Sequence, residues 1–355
     1  MLAAEPRAAS AALSAAPSSA PPPSWRSIVG RVEPFLRAVA QRLEDQVKTF
    51  EPEIAGYARY ALTNQGKQLR PALVALSAEA TGGLNDDLVT IATIVEIVHL
   101  ATLVHDDIMD EARMRRRRPT LAVKAGNSIS VLAGDCLFAH ALQLAAGFPT
   151  PDVCRAVAGA TKTVCTGEIL QTLRERRWNL PREEYFRMLR MKTGELFALS
   201  CLLGARISGA AEREQRALRD YGMSLGTAYQ VYDDCVDLFG REVEAGKSLG
   251  SDLAGGKITL PVIVALEEAS PAERTELERM LTHWEPAALP RLGALLEAHD
   301  ALGKSVEAIR ALCGAARDAL DVLPPGEQVE ALLQATDFVA QQTRSLGVHS
   351  WERST

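Results

Sequence analysis

The 355-residue chain has 47% hydrophobic and 24% charged residues, a globular composition that excludes a fibre or a wholly disordered polymer. Lys plus Arg number 39 against 45 Asp plus Glu, and the formal charge of −6 argues against a dedicated nucleic-acid binder. Aromatics are only 5% while Ala and Leu abound, which favours helices over a β-sandwich or barrel.

Residues 1–24 are almost all Ala, Pro, Ser and Leu, ending in Pro21-Pro22-Pro23. Such a stretch cannot bury a core and reads as a disordered tail, with neither the apolar stretch of a secretory signal nor the Arg content of a transit peptide. From Trp25 the pattern changes. Trp25, Ile28, Val29, Val32, Leu36, Val39 and Leu43 recur at three- and four-residue steps, one apolar stripe of a helix. Similar stripes predict helices over 68–81, 86–107, 129–146, 151–173, 182–207, 211–239, 258–268, 301–322 and 327–346. Turn signals separate them, among them Gly82-Gly83, Asn179-Leu180-Pro181 and Pro324-Pro325. No alternating strand pattern occurs. The expectation is an all-α single large helical bundle over 25–350. No uninterrupted apolar run reaches the roughly 18 residues of a membrane span, so none is expected. Cysteines 136, 154, 165, 201, 235 and 313 form no C-x-x-C pair and read as buried, reduced thiols of a cytoplasmic protein.

Two acidic clusters stand apart. His105-Asp106-Asp107-Ile108-Met109-Asp110 and Tyr232-Asp233-Asp234-Cys235-Val236-Asp237 each place a D-D-x-x-D at the end of a long apolar helix. Residues four apart share a helix face, so Asp106 lies beside Asp110 and Asp233 beside Asp237. Paired like charges destabilise a helix unless a cation compensates. A solvated acidic face is the bland alternative, but the flanks are apolar. Carboxylates at the mouth of an apolar cavity suit Mg²⁺, which takes oxygen ligands and is typically shared with substrate phosphates. Five arginines, at 113 and 115–118, follow the first cluster. Arg pairs bidentately with phosphate, so metal-binding carboxylates beside Arg indicate a diphosphate. Lys67 and Arg70, three apart, can face one ligand. Gly246-Lys247-Ser248 is not a P-loop, because the earlier Gly240 is misplaced by one residue and a helix precedes it.

This ordered set resembles the trans-isoprenyl diphosphate synthase, or polyprenyl synthetase, family. The residues that carry the likeness are Gly66-Lys67-x-x-Arg70-Pro71, His99, Asp106-Asp107-x-x-Asp110 with Arg115-Arg116, Gly134-Asp135 and Gly167-Glu168. It continues through Lys192-Thr193-Gly194, Gln230-x-x-Asp233-Asp234-x-x-Asp237, Gly246-Lys247-x-x-Gly250-x-Asp252 and Gly256-Lys257-x-Thr259-Leu260-Pro261. The resemblance implies an all-α fold around a deep central cavity, a homodimer, and Mg²⁺-dependent head-to-tail condensation of isopentenyl diphosphate with an allylic diphosphate. It implies that Asp106, Asp110 and Asp233 hold Mg²⁺, supported by Asp107, Asp234 and Asp237. Arg115, Lys192, Thr193, Gln230, Lys247 and Lys257 take the allylic diphosphate. Lys67, Arg70, His99 and Arg116 take isopentenyl diphosphate.

Three positions depart from the family pattern: Arg117 where Gly is usual, Ala125-Gly126 for an aromatic-Gly pair, and Tyr232 where Val or Ile is common. A terpene cyclase is disfavoured by the second D-D-x-x-D, and a non-catalytic partner subunit by the presence of all six aspartates. Chain length depends on the helix turn before Asp106. Ala101 and Thr102 there are too small to plug a tunnel, whereas short-chain members carry a bulky aromatic near this level. Phe138 and Phe197 are candidates for a lower floor. The expected product is therefore longer than C20, with farnesyl or geranylgeranyl diphosphate as the alternative.

Overall fold

The computed structural model describes residues 24–63, 66–240 and 249–347. Helix α1 (Trp25–Val29) starts where the Ser24 hydroxyl accepts from Ser27 N, and a 3₁₀ turn leads into α2 (Glu33–Val47). The continuous stripe from Trp25 is thus two helices, with Pro34 in the first turn of the second, where its missing N–H costs nothing. Then come α3 (Pro52–Leu62), α4 (Leu69–Glu79) and α5 (Asp86–Met109). Asn85 caps α5 through Leu88 N, and Asp86 and Asp87 sit in its first turn, where the helix dipole favours acids.

A short antiparallel ladder follows, β1 (Met114–Arg115) with β2 (Arg118–Pro119). No strand was expected here. Arg116 and Arg117 form its two-residue turn with φ of 51° and 62°. Such a turn matches strand twist only with left-handed residues, which explains the usual Gly at the position Arg117 occupies.

The remaining helices are α6 (Leu121–Ala125), α7 (Asn127–Ala146), α8 (Asp152–Thr172), α9 (Arg182–Leu189), α10 (Glu195–Ile207), α11 (Glu212–Phe239) and α12 (Ser251–Ala254). They end with α13 (Leu260–Glu268), α14 (Pro271–Thr282), α15 (Leu289–Ala298), α16 (Ala301–Ala319) and α17 (Glu327–Gln342). Helices α9 and α10 are not the single α-helix expected over 182–207, because a π turn, Arg190–Gly194, joins them.

Helix α5 is the axis. It packs on α2, α4, α7 and α10, while α10 and α16 flank α11. Ile91, Ile94, Val95, Ile97 and Val98 of α5 are all buried, each stabilising the fold by about 1.5–3 kcal/mol. By length and composition alone α5 and α7 could each cross a membrane, although neither is an uninterrupted apolar run. Within the bundle 67% of the apolar window of α5 is buried, so its hydrophobicity serves the core; for α7 the share is only 33%. The cysteines are free, but only Cys201, Cys235 and Cys313 are buried; Cys165 is exposed and Cys136 and Cys154 are half-buried.

Candidate active site

The C-terminal ends of α5 and α11 meet at a cavity of 1190 Å³. Asp106, Asp110, Asp233 and Asp234 line it, whereas Asp107 and Asp237 do not. Each missing carboxylate is used elsewhere. Asp107 accepts from Arg115 Nε on the hairpin. Asp237 accepts from Ser251 N, Ser251 Oγ and Asp252 N, and so caps α12. Asp234 accepts from Tyr185 Oη at 2.6 Å and from Gln230 Nε2 at 2.9 Å, and Gln230 Oε1 accepts from Thr193 Oγ1.

Burial pushes the Asp106 carboxyl up to about 6; Lys192 opposes the rise, and Glu168 and Asp110 add to it. Burial likewise pushes Asp234 up to about 8. Cations balance the acids. Lys192 Nζ donates to Glu168 and to Gln171 Oε1, and Lys257 Nζ donates to Asp110 Oδ1 at 2.6 Å. Burial alone would lower the Lys192 pKa, but Asp106 and Glu168 outweigh it and the net shift is upward. Lys192 and Thr193 sit on the π turn, a distortion often found where a helix must aim side chains into a site.

Among the described residues no three acidic, His or Cys side chains are close enough to enclose a metal by themselves. The donor set nevertheless fits a hard divalent cation, since Asp106, Asp110 and Asp233 bring only oxygens to one cavity and diphosphate oxygens can complete the shell.

The second basic set lies on the same cavity. Lys67, Arg70, His99 and Arg116 all line it. Arg70 stacks its guanidinium on the Phe197 ring at 4.9 Å, and its enclosed Nε has no hydrogen-bond partner among the described residues. A sealed donor left unpaired is costly unless a ligand takes it. His99 is held neutral, its pKa far down from burial and from the fields of Arg70 and Arg116. Gly66 is needed for closeness: a Cβ there would lie 2.6 Å from the Arg116 guanidinium carbon. Gly134 serves His105 in the same way, with a virtual Cβ 2.2 Å from Nε2, and His105 also meets Asp135 at 3.5 Å. Lys67 is steadied from both chain ends, since Trp25 Nε1 donates to its carbonyl and its ammonium faces Phe338 of α17.

Thr102 lines the cavity with Leu103, but Ala101 is fully buried in the core and does not reach it. Phe138 lines the cavity; Phe197 instead packs between Arg70 and Tyr229. Lys247 lies outside the described residues. Glu96, Gln171 and Tyr185 were not foreseen. Glu96 left a signal, a lone acid inside the apolar run Ile94-Val95-Glu96-Ile97-Val98, whereas Tyr185 left none.

Carboxylates with cations beside them, and a second basic set on the same cavity, suit a helical enzyme that handles diphosphates. The polyprenyl synthetase family model matches residues 51–295. An octaprenyl diphosphate synthase of Haemophilus influenzae is 32% identical over 85% of this chain and 92% of its own. A short chain isoprenyl diphosphate synthase of Methanothermobacter thermautotrophicus is also 32% identical, over 85% and 94%. A solved polyprenyl synthase of Caulobacter crescentus, complexed with calcium and isoprenyl diphosphate, superposes with TM-score 0.84 at 32% identity over 89% of this chain and 97% of its own. The chain belongs to the polyprenyl synthetase family. It is a trans-prenyl diphosphate synthase, a prenyltransferase of isoprenoid biosynthesis, in a family that uses a divalent metal with isopentenyl and allylic diphosphates.

Proposed function

We propose that this enzyme makes a trans-polyprenyl diphosphate longer than C20, with Mg²⁺ as its metal. The observation that carries the length is the cavity wall. The small Thr102 lines the cavity one turn before Asp106 and leaves a path past it. No aromatic of α5 closes that path.

Asp106, Asp110 and Asp233 would hold Mg²⁺ against the allylic diphosphate, with Asp107, Asp234 and Asp237 as support. When bound, the ion supplies charge stabilisation for the leaving diphosphate. Lys192, Lys257 and Arg115 are ready to move from their carboxylate partners to phosphate oxygens, Thr193 and Gln230 orient Asp234, and Lys247 is assigned to the same substrate. Arg70, Arg116, Lys67 and neutral His99 hold isopentenyl diphosphate. Leu103, Val164 and Leu196 line the cavity with apolar surface that excludes water from the allylic cation. The allylic C1–O bond breaks with its electron pair on pyrophosphate, and the isopentenyl π pair forms the new C–C bond. A proton then passes to the released pyrophosphate. Thr102→Phe should shorten the products and Phe138→Ala lengthen them, read by chromatography of chains made from labelled isopentenyl diphosphate. A wild-type product no longer than C20 defeats the length reading.

The chain acts as a homodimer through the outer face of α7. Leu132 at 59% exposure and Ile129 give that helix an apolar surface suited to a second copy. Sedimentation should show a dimer that Leu132→Glu splits; a wild-type monomer refutes it. The free thiols fit a reducing cytoplasm.

A further inference from the structure

Glu96 is an ionisable group for which the reaction above has no role. It sits inside α5, one turn before His99, and is only 2% exposed. It lines the cavity together with Arg70, His99 and Arg116. Burial raises its pKa, and the fields of Arg70 and Arg116 oppose the rise, so the guanidiniums favour the ionised form. The same carboxylate acts back on both: it is the largest charge effect on Arg70 and on Arg116 after burial itself. A carboxyl group, with two guanidiniums lining the same cavity to favour its ionised form, has thus been built into the pocket that must take an anionic substrate.

The chemistry of elongation gives that group a use. In each condensation the diphosphate that leaves is the allylic one. The diphosphate retained on the lengthened chain entered with isopentenyl diphosphate, and at the end of the step it still lies among Arg70, Arg116 and Lys67. Before the next addition it must cross to the wall of Asp106 and Asp233. A pocket of cations alone would hold it too firmly for that transfer.

We propose that Glu96 is a positioning residue that weakens the hold of the isopentenyl pocket on diphosphate, so that the product moves to the metal site and elongation continues. This rests on the assignment of Arg70 and Arg116 to isopentenyl diphosphate. A unit charge on the wall of a poorly screened pocket changes the affinity for a diphosphate held there by about tenfold or more.

Glu96→Gln keeps the shape and removes the charge. Calorimetry with isopentenyl diphosphate alone should show about tenfold tighter binding than wild type. Single-turnover addition to an allylic starter should remain, while multiple-turnover products should shift towards one added unit. Glu96→Ala should tighten binding in the same direction, and it serves as the test if the Gln variant is not folded. Glu96→Asp, which keeps the charge, should follow wild type. A purely structural role would alter thermal stability without tightening the ligand or shortening the products. Unchanged or weaker isopentenyl diphosphate binding in the neutral variants, or an unchanged product distribution, overturns the proposal. Failure of wild type to incorporate isopentenyl diphosphate would instead overturn the pocket assignment beneath it.

Discussion

The two D-D-x-x-D segments are alike in sequence and differ in what surrounds them. At the end of α5 the acids are balanced by full charges: Asp107 meets Arg115, Asp110 meets Lys257, and Lys192 faces Asp106. At the end of α11 the partners seen among the described residues are neutral donors: the Tyr185 hydroxyl and Gln230 amide on Asp234, and the backbone and hydroxyl of α12 on Asp237. The first cluster is followed by an arginine-rich hairpin and the second by a short helix whose N–H groups need an acceptor. The same five-residue pattern therefore gives an electrostatic site at one end and a hydrogen-bonded frame at the other.

The comparison breaks most severely if Asp106 and Asp233 are not equivalent. Asp106→Ala and Asp233→Ala should each lower turnover by several orders of magnitude, and EDTA should abolish it, because each removes charge from one shared metal–diphosphate site. Near-normal rates in either variant would show that one cluster does the work alone.

The next effect separates the remaining acids. Asp237→Ala strips an acceptor from three donors at a fully buried position and should cost about 2–4 kcal/mol of stability, read by denaturant unfolding. Asp107→Ala should cost less stability and instead lower turnover ~10- to 100-fold, since it frees Arg115 from its anchor. A reversal of the two would mean that charge and frame have been assigned to the wrong ends.

The smallest effect is a pH dependence. The pKa of Asp234 is higher in the folded protein, about 8, than its ordinary value of 3.8. A raised carboxyl binds its proton more tightly when folded, so its contribution is fully present below about pH 4 and is lost as pH rises through about 8. In metal-free protein, Asp234→Asn should therefore melt higher than wild type near pH 8.5, and the advantage should fade towards pH 5. A gap independent of pH would show that the carboxyl is not held protonated.

Most of the helical frame could be read from the sequence because long stripes repeat at the helical period, as in α5, α8, α11 and α16. Of the missed helices, α3, α14 and α15 are short and each opens with Pro in its first turn, which reads as a break when the stripe behind it is brief, while α6 and α12 are only 5 and 4 residues long. The site residues were legible where charge stood out against apolar flanks, as at Asp106 and Asp233. Their partners were less so. Nothing local to Asp234 announces Tyr185, 49 positions away, because that pairing is made by the packing of α9 against α11. Ala101 and Thr102 show the finest limit: neighbours on one helix, the former turned into the core and the latter into the cavity. Sequence distance from Asp106 alone does not fix that rotation.

The π turn Arg190–Gly194 makes the site sensitive to chain register. It carries one more residue per hydrogen-bonded loop than the α-helices it joins, and Lys192 and Thr193 ride on it. Deleting one residue nearby would let the segment relax into ordinary helix and shift the side chains within it by one residue's rotation, about 100°. Met188, Leu189, Leu196 and Phe197 are buried on both sides of the turn and hold their own phases. The core would pin the flanking helices while the reactive ammonium turned away from Glu168 and Asp106. A shift of one position, harmless in a surface loop, would here leave a folded protein with its lysine aimed elsewhere.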